Sequence, residues 1–329
     1  MTAKTIFLSL LFVSVFHFAF AQSNPYRQVD SLMATYTKPV KNADGLRDLW
    51  YFIYRNVYTD SLRLRATVDW IAANIAYDLK LFQSGSEEAI TLNDVVKRKK
   101  AVCGGYAALL KYMCDLFQIE CEVVSGRARG FDRDVYLQQA KLIDNHAWNI
   151  VKINGTWRLL DPTWIAGSVT GDVDDPKAKY APAFNETYYF MAPAKFILNH
   201  YPRLSRHQLL SPFVQEKEFR TSPLFLEPLL KTDIVAVVPA EALIKTVVGD
   251  TLTFRFKTKD LSSEMAAWSP TQKKADFKGE PVRNGDYVEF RYPVVATGFY
   301  NLFIGQIKGM RGEALLAYKL QVEPKPVAQ

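Results

Sequence analysis

The chain reads as an α+β protein in two parts. Three observations carry that reading: helix-period apolar spacing from Asp60 to Phe117, two strands joined by Asn154 and Gly155, and short alternating runs beyond about Asp233. At 329 residues, 49% hydrophobic and 23% charged, the composition is that of an ordinary globular protein long enough for two cores.

The opening residues, MTAKTIFLSLLFVSVFHFAFAQ, carry Lys4, an apolar run from Ile6 to Phe20, and Ala19 and Ala21 spaced as A-x-A before Gln22. Residues 1–21 are therefore expected to be a cleaved signal peptide, with the mature protein secreted or periplasmic. The run is short for a membrane span and contains His17, so no membrane association is expected after cleavage. Residues 22–59 form an expected N-terminal helical segment, with Val29, Leu32, Met33 and Tyr36 at one-face spacing. Asp60 can cap a helix in which Leu64, Val68, Ile71 and Ile75 recur at steps of three and four. A short helix holding Leu92, Val95 and Val96 comes next, then the helical run CGGYAALLKYMCDLF from Cys103.

After Gln118 the period becomes extended. CEVVSG reads as a strand, Arg127 to Asp144 as a polar surface loop, and HAWNIVKI and TWRLL as a hairpin turned by Asn154 and Gly155, where both positions need positive φ. Pairing Ile153 with Thr156 sets His146 opposite about position 163, two residues from Asp161, within reach allowing for a register slip or a bend at Pro162. Asp172 to Phe184 is expected to be a loop. YYFMAPAKFILNHYP and SRHQLL close a core domain spanning residues 60–212. Residues 213–232 are expected to be a linker. Residues 233–329, with IVAVV, TLTFRFKT, DYVEFRY, FYNLFIG and LLAYKLQV, are expected to form a β-sandwich of immunoglobulin-like type.

The formal charge of +7 comes from cations spread among nearly as many acids, so a nucleic-acid partner is not expected. The one dense run, Lys97 to Lys100, suits a helix C-terminus and would also favour a thiolate at nearby Cys103. Three cysteines leave at least one unpaired. On one helix Cys103 and Cys114 lie about 16 Å apart at roughly 1.5 Å per residue, beyond the reach of a disulfide or a shared zinc ion. Cys121 could reach Cys114 for a disulfide, and two buried thiols are the preferred reading of the pair. The chain has neither C-x-x-C nor H-E-x-x-H, and Asp172, Asp174 and Asp175 do not make a calcium loop, so no metal or other cofactor is implied.

Cys103, His146 in NHAWN and Asp161 in LLDPTW supply, in order, a nucleophile, a base and an orienting carboxylate. A free thiol is only about 3% thiolate at neutral pH, and a helix N-terminus beside an imidazolium raises that fraction. His200 and His207 fall outside the pattern and read as structural. Together with WIAANIAYD and VCGGYAALLKYMCDLFQIECEVVSG, these motifs resemble the transglutaminase-like superfamily, a papain-related group, and within it the kyphoscoliosis peptidase-like proteins. The resemblance covers Asp60 to Leu210. It implies a papain-like core with Cys103 as nucleophile, His146 as general base and acid, and Asp161 as orienter. The upstream side chain that donates to the oxyanion in this superfamily has no match among these motifs. Trp148, Trp164 and Tyr106 are the expected substrate-binding walls. The expected function is an exported cysteine enzyme attacking peptide or protein amides through a thioester, by hydrolysis or acyl transfer. The rival is a non-catalytic binding protein whose core and sandwich present surfaces to an extracellular protein or glycan.

Overall fold

The structure, a computed structural model, describes residues 24–85, 91–130, 142–171, 173–259, 264–308 and 311–325. The expected signal segment, most of the polar stretch after Arg127, and Asp172 lie outside the described residues. No helix among the described residues is long and apolar enough to cross a membrane.

The N-terminal layer is helical: α1 (Arg27–Ala34), α2 (Ala43–Asn56) and α3 (Asp60–Asn74). Thr59 rather than Asp60 caps α3, accepting from the Leu62 amide, while Asp60 sits in the first turn, where the helix dipole favours an acid. The segment before residue 60 is bound tightly to the core domain. Arg65 on α3, almost fully buried, pairs with Asp30 of α1 at 3.0 Å, with Asp69 at 2.8 Å and with Glu186 at 2.6 Å.

A two-residue strand β1 (Ala76–Tyr77) leads into α4 (Leu79–Ser84), which helical periodicity did not reveal, and then α5 (Leu92–Arg98). Lys97 to Lys100 are exposed at the end of α5, where Lys99 turns the chain with φ 53°. The strand β2 (Lys100–Ala101) pairs in parallel with β1, placing Tyr77 opposite Ala101. Then comes α6 (Cys103–Leu116).

Behind α6 stands an antiparallel sheet of β3 (Cys121–Ala128), β4 (His146–Ile153) and β5 (Thr156–Leu160), completed by two strands from further along the chain. After β5 come α7 (Pro162–Ala166) and a small ribbon of β6 (Gly167–Thr170) and β7 (Lys179–Pro182), so the stretch expected as a loop contains a strand. The strand β8 (Tyr189–Met191), α8 (Pro193–Phe196) and β9 (His200–Pro202) are next. The sheet order is β8-β5-β4-β3-β9, with α6 packed on β3 and β4.

Residues 213–232 are not a free linker. They form α9 (Glu216–Thr221), β10 (Leu224–Phe225) and α10 (Glu227–Leu230), because Phe219, Leu224, Phe225, Leu229 and Leu230 are apolar and become buried. The fully buried Arg129 guanidinium donates to the carbonyls of Phe219 and Ser222, tying this segment to the core. The remaining strands are β11 (Ala236–Val238), β12 (Leu243–Val247), β13 (Thr251–Lys257), β14 (Met265–Trp268), β15 (Phe277–Gly279), β16 (Val282–Asn284), β17 (Tyr287–Pro293), β18 (Gly298–Lys308) and β19 (Arg311–Glu323). One sheet has the order β10-β19-β18-β14-β15, with β12 also on β19, and the other β11-β13-β17-β16. Alternate residues such as Phe254 and Phe256, or Phe290 and Tyr292, are buried, the period-two pattern of a strand with one covered face. The two sheets face each other, with the Phe254 and Tyr318 ring centres 4.9 Å apart and Phe277 6.0 Å from Phe290.

Candidate active site

Cys103 is the first residue of α6, preceded by Val102 in extended conformation. The helix forms because Tyr106, Ala107, Leu110, Met113 and Cys114 are apolar at helical spacing and all become buried. The amides of Cys103 and Gly104 open the helix, where backbone N–H groups have no acceptor within the helix itself. The two glycines differ in purpose. A Cβ on Gly104 would meet nothing within 4 Å, whereas one on Gly105 would lie 2.8 Å from the Ala101 Cβ, so Gly105 permits close packing and Gly104 leaves space beside the sulfur.

The hairpin supplies the other two groups. Its register is the expected one, from Ile153 opposite Thr156 to Asn149 opposite Leu160, with Asn154 and Gly155 at φ 50° and 75°. At Asp161 the chain leaves the strand and turns into α7, whose first residue is Pro162. Asp161 Oδ1 caps that helix, accepting from the Thr163 amide at 2.8 Å and the Trp164 amide at 3.2 Å. Its Oδ2 lies 2.7 Å from His146 Nε2. The bend at Pro162 therefore brings together two residues that the strand register alone leaves offset. With Nε2 committed to Asp161, Nδ1 is the ring nitrogen left for the hydrogen bond between His146 and the Cys103 thiol.

Electrostatics follow from this geometry. Burial would push the Cys103 thiol up, but the hydrogen bond and charge of His146, with the Ala147 amide, outweigh it and hold the thiol below its ordinary value. Burial would likewise push His146 down, yet the Asp161 carboxylate and then Cys103 raise it to about 10. Asp161, fully buried, stays ionised well below the usual carboxylate range because His146 and then His200 offset its desolvation. The Cys103 and His146 shifts both run in the direction of a thiolate–imidazolium pair.

His200, which the sequence places outside the pattern, joins this cluster in the fold. It is fully buried on β9, with Nε2 3.2 Å from Asp161 Oδ2 and Nδ1 2.7 Å from the Asn199 amide oxygen. Burial, reinforced by the His146 charge, pushes it down to about 4. Only sheet order reveals it: β9 pairs with β3, whose Gly126 also pairs with His146. The ligand atoms of His146, Asp161 and His200 lie within 4.8 Å of one another, a spacing that could hold a metal ion. Here both imidazoles are directed at the same Asp161 oxygen, and the other oxygen is taken by two backbone amides, so the donors are committed to each other.

The three expected wall residues separate. Trp164 is partly exposed and lines the cleft beside His146, its ring centre 5.5 Å from the imidazole. Trp148 is fully buried behind the site, against His146, Phe196 and His200. Tyr106 is fully buried too, its hydroxyl donating to the Ile75 carbonyl at 2.6 Å, because one helical turn beyond Cys103 points it into the layer beneath α6. The cleft, about 570 Å³, is lined by Tyr77, Asn145, His146 and Trp164 of the core domain together with Phe225 and Glu227. Tyr77 was also missed, and the pairing of β1 with β2 is what carries it next to Cys103. Burial, with the negative charges of Cys103 and Asp161, keeps its hydroxyl protonated, hence a donor. Cys114 and Cys121 are both buried and unbridged, with Asn149 Nδ2 donating to the Cys121 sulfur at 3.5 Å, and His207 pairs with Glu122 at 3.1 Å.

The family model described as the Transglutaminase-like superfamily matches residues 51–162, a span that holds Cys103, His146 and Asp161. The human kyphoscoliosis peptidase is 31% identical over 214 residues, 65% of this chain and 32% of its own length. The mouse kyphoscoliosis peptidase is 31% identical over 205 residues, 62% of this chain and 30% of its own. Cytokinesis protein 3 of Schizosaccharomyces pombe is 25% identical over 150 residues, 46% of this chain and 16% of its own. The chain thus spans about a third of the length of the kyphoscoliosis peptidases it matches. With a helix-borne cysteine facing a histidine and an aspartate on an antiparallel hairpin, it carries a transglutaminase-like domain and is similar to the kyphoscoliosis peptidases.

Proposed function

We propose that this chain is an exported cysteine enzyme that attacks amide bonds of peptides or proteins through Cys103. The observation that carries the reading is the hydrogen-bonded series from the Cys103 thiol through His146, which lines an open cleft, to Asp161. The thiolate attacks the amide carbonyl carbon, and the carbonyl electron pair moves to oxygen. The Cys103 amide and the Tyr77 hydroxyl are the donors assigned to that oxyanion. As the tetrahedral species collapses, the C–N bond breaks, the amine leaves with the proton that His146 had held, and a thioester to Cys103 remains. Water, or an amine in acyl transfer, then loses a proton to His146 as it attacks the thioester. The C–S bond breaks, releasing acid or new amide and regenerating the thiolate–imidazolium pair. Hydrolysis is favoured because water is the acceptor present in greatest excess. Export rests on the residues before Gln22.

Phe225 and Glu227, which also line the cleft, come from the segment that joins the C-terminal sheets. That placement supports an extended substrate lying between the two parts. The test is turnover of a peptide and protein panel, with and without amine acceptors, by reduced wild-type protein beside Cys103→Ala and Tyr77→Phe. Cys103-dependent release of amine or amide exchange, slowed in Tyr77→Phe, supports the reading. A Cys103→Ala protein as active as wild type, or a wild-type thiol that alkylates no faster than a free one, would overturn it and favour the non-catalytic binding reading.

A further inference from the structure

His200 is buried, titratable and not used in the steps above. Its ring is enclosed by Phe196, stacked at 4.2 Å between ring centres, by Trp164 at 4.5 Å and by Trp148 at 5.1 Å. The titratable groups facing it are Asp161, His146 and Tyr188. In this apolar enclosure the imidazole is neutral and carries a single N–H, which has two oxygen neighbours to choose between: Asp161 Oδ2 at Nε2 and the Asn199 amide oxygen at Nδ1. A carboxylate is the stronger acceptor, and an Nε2 lone pair set against Oδ2 would be repelled. The proton therefore belongs on Nε2. Asn199 then satisfies Nδ1 by turning its amide, so that Nδ2 donates to Nδ1 and its oxygen accepts from the Tyr188 hydroxyl, now 3.4 Å from the Asn199 amide nitrogen.

We infer that His200, as its Nε2–H tautomer, is a positioning residue: Tyr188, Asn199 and His200 form a chain of donors ending on Asp161, which aims the carboxylate at His146. The inference rests on the proposed Cys103 chemistry and adds residues to it. Asp161 would accept four hydrogen bonds, two from backbone amides on Oδ1 and two from imidazoles on Oδ2, leaving the carboxylate one orientation. Fixing Oδ2 fixes the tautomer of His146, with its proton toward Asp161 and its Nδ1 toward the thiol. Indirect orientation of this kind resembles the way carboxylates hold metal-bound histidines.

Two measurements test it on the full mature chain. Nitrogen-15 NMR of the imidazoles should show the His200 proton on Nε2 at neutral pH, and that resonance should move in Asp161→Asn. A proton on Nδ1 would overturn the assignment. The pH profile of Cys103 alkylation by iodoacetamide supplies the second readout. His200→Gln places an amide N–H near the Nε2 position and should keep the wild-type profile. His200→Leu fills space without donating and should slow alkylation about tenfold at pH 6.5, with the profile shifted to higher pH. Equal profiles for Gln and Leu would reduce His200 to packing. If His200→Leu fails to fold, His200→Asn, whose N–H falls near Nδ1, replaces it: a profile matching that of His200→Gln overturns the inference, and a slowed one supports it. Ordinary alkylation of the wild-type thiol would overturn the proposed function, while the NMR tautomer would still decide the role of His200.

Discussion

Asp161→Asn separates the two duties of one side chain. The amide oxygen can still accept from the Thr163 and Trp164 amides, so the cap of α7 is kept. In place of Oδ2 stands an NH₂ group facing His146 Nε2, 2.7 Å away, and His200 Nε2, 3.2 Å away. To accept from it, His146 must carry its proton on Nδ1, the nitrogen that should receive the thiol proton. A hydrogen bond to a buried charged group contributes about 1.5–3 kcal/mol. Taking about 2 kcal/mol for the His146 partner, at about 1.4 kcal/mol per tenfold, the thiolate–imidazolium population falls about 30-fold. The assay is the second-order rate of iodoacetamide labelling of Cys103 at pH 6.5, followed by peptide mass, with buried Cys114 and Cys121 as slow internal controls. Far-UV circular dichroism melting checks that the variant folds. A folded Asp161→Asn protein that labels at the wild-type rate would show that Asp161 is only a helix cap.

Stability should depend on pH with two limbs of opposite sign. His146 binds its proton more tightly in the folded chain, so its contribution is complete below pH 6.5 and is lost as pH rises toward about 10. His200 binds its proton less tightly when folded, so its contribution is present above pH 6.5 and is lost as pH falls toward about 4. Melting temperatures across pH should show both limbs, the alkaline one flattened in His146→Ala and the acid one in His200→Gln; limbs unchanged in both variants would contradict the burial and pairing described. A Cβ on Gly126 would lie 2.7 Å from the Trp148 ring and 2.8 Å from the Pro202 Cα, and closer still to the Tyr201 carbonyl oxygen. Gly126→Ala should therefore cost about 1–3 kcal/mol by overpacking and slow Cys103 labelling, because it parts β3 from the strand that carries His200. Unchanged melting and labelling would mean the strands have room that the structure denies them.

Cys103, His146 and Asp161 were legible as a candidate group because each sits in a locally coded setting. The C-G-G sequence before a helical apolar face marks Cys103, and the Asn154–Gly155 turn sets the hairpin register within a few residues of itself. Asp161 followed by Pro162 carries the signature of a helix start. The β-runs after residue 233 were legible by alternation, although short strands such as β15 and β16 were not, since three residues make no period. The linker expectation failed because charged residues such as Glu216, Lys217 and Glu218 masked apolar positions whose partners lie on β19, nearly a hundred residues away.

By itself the sequence picked out Cys103, His146 and Asp161 as the candidate nucleophile, base and orienter, with the order of helix and hairpin and the change from core to β-rich region, since turn chemistry and periodicity act over a few residues. Only the tertiary structure decided which strands became neighbours. That choice set His200 on Asp161, Tyr77 beside Cys103, Trp148 and Tyr106 inside the core, and Phe225 and Glu227 on the cleft. Such contacts are made by burying apolar faces over long sequence separations. The same apolar pattern is compatible with several strand orders until those faces are packed.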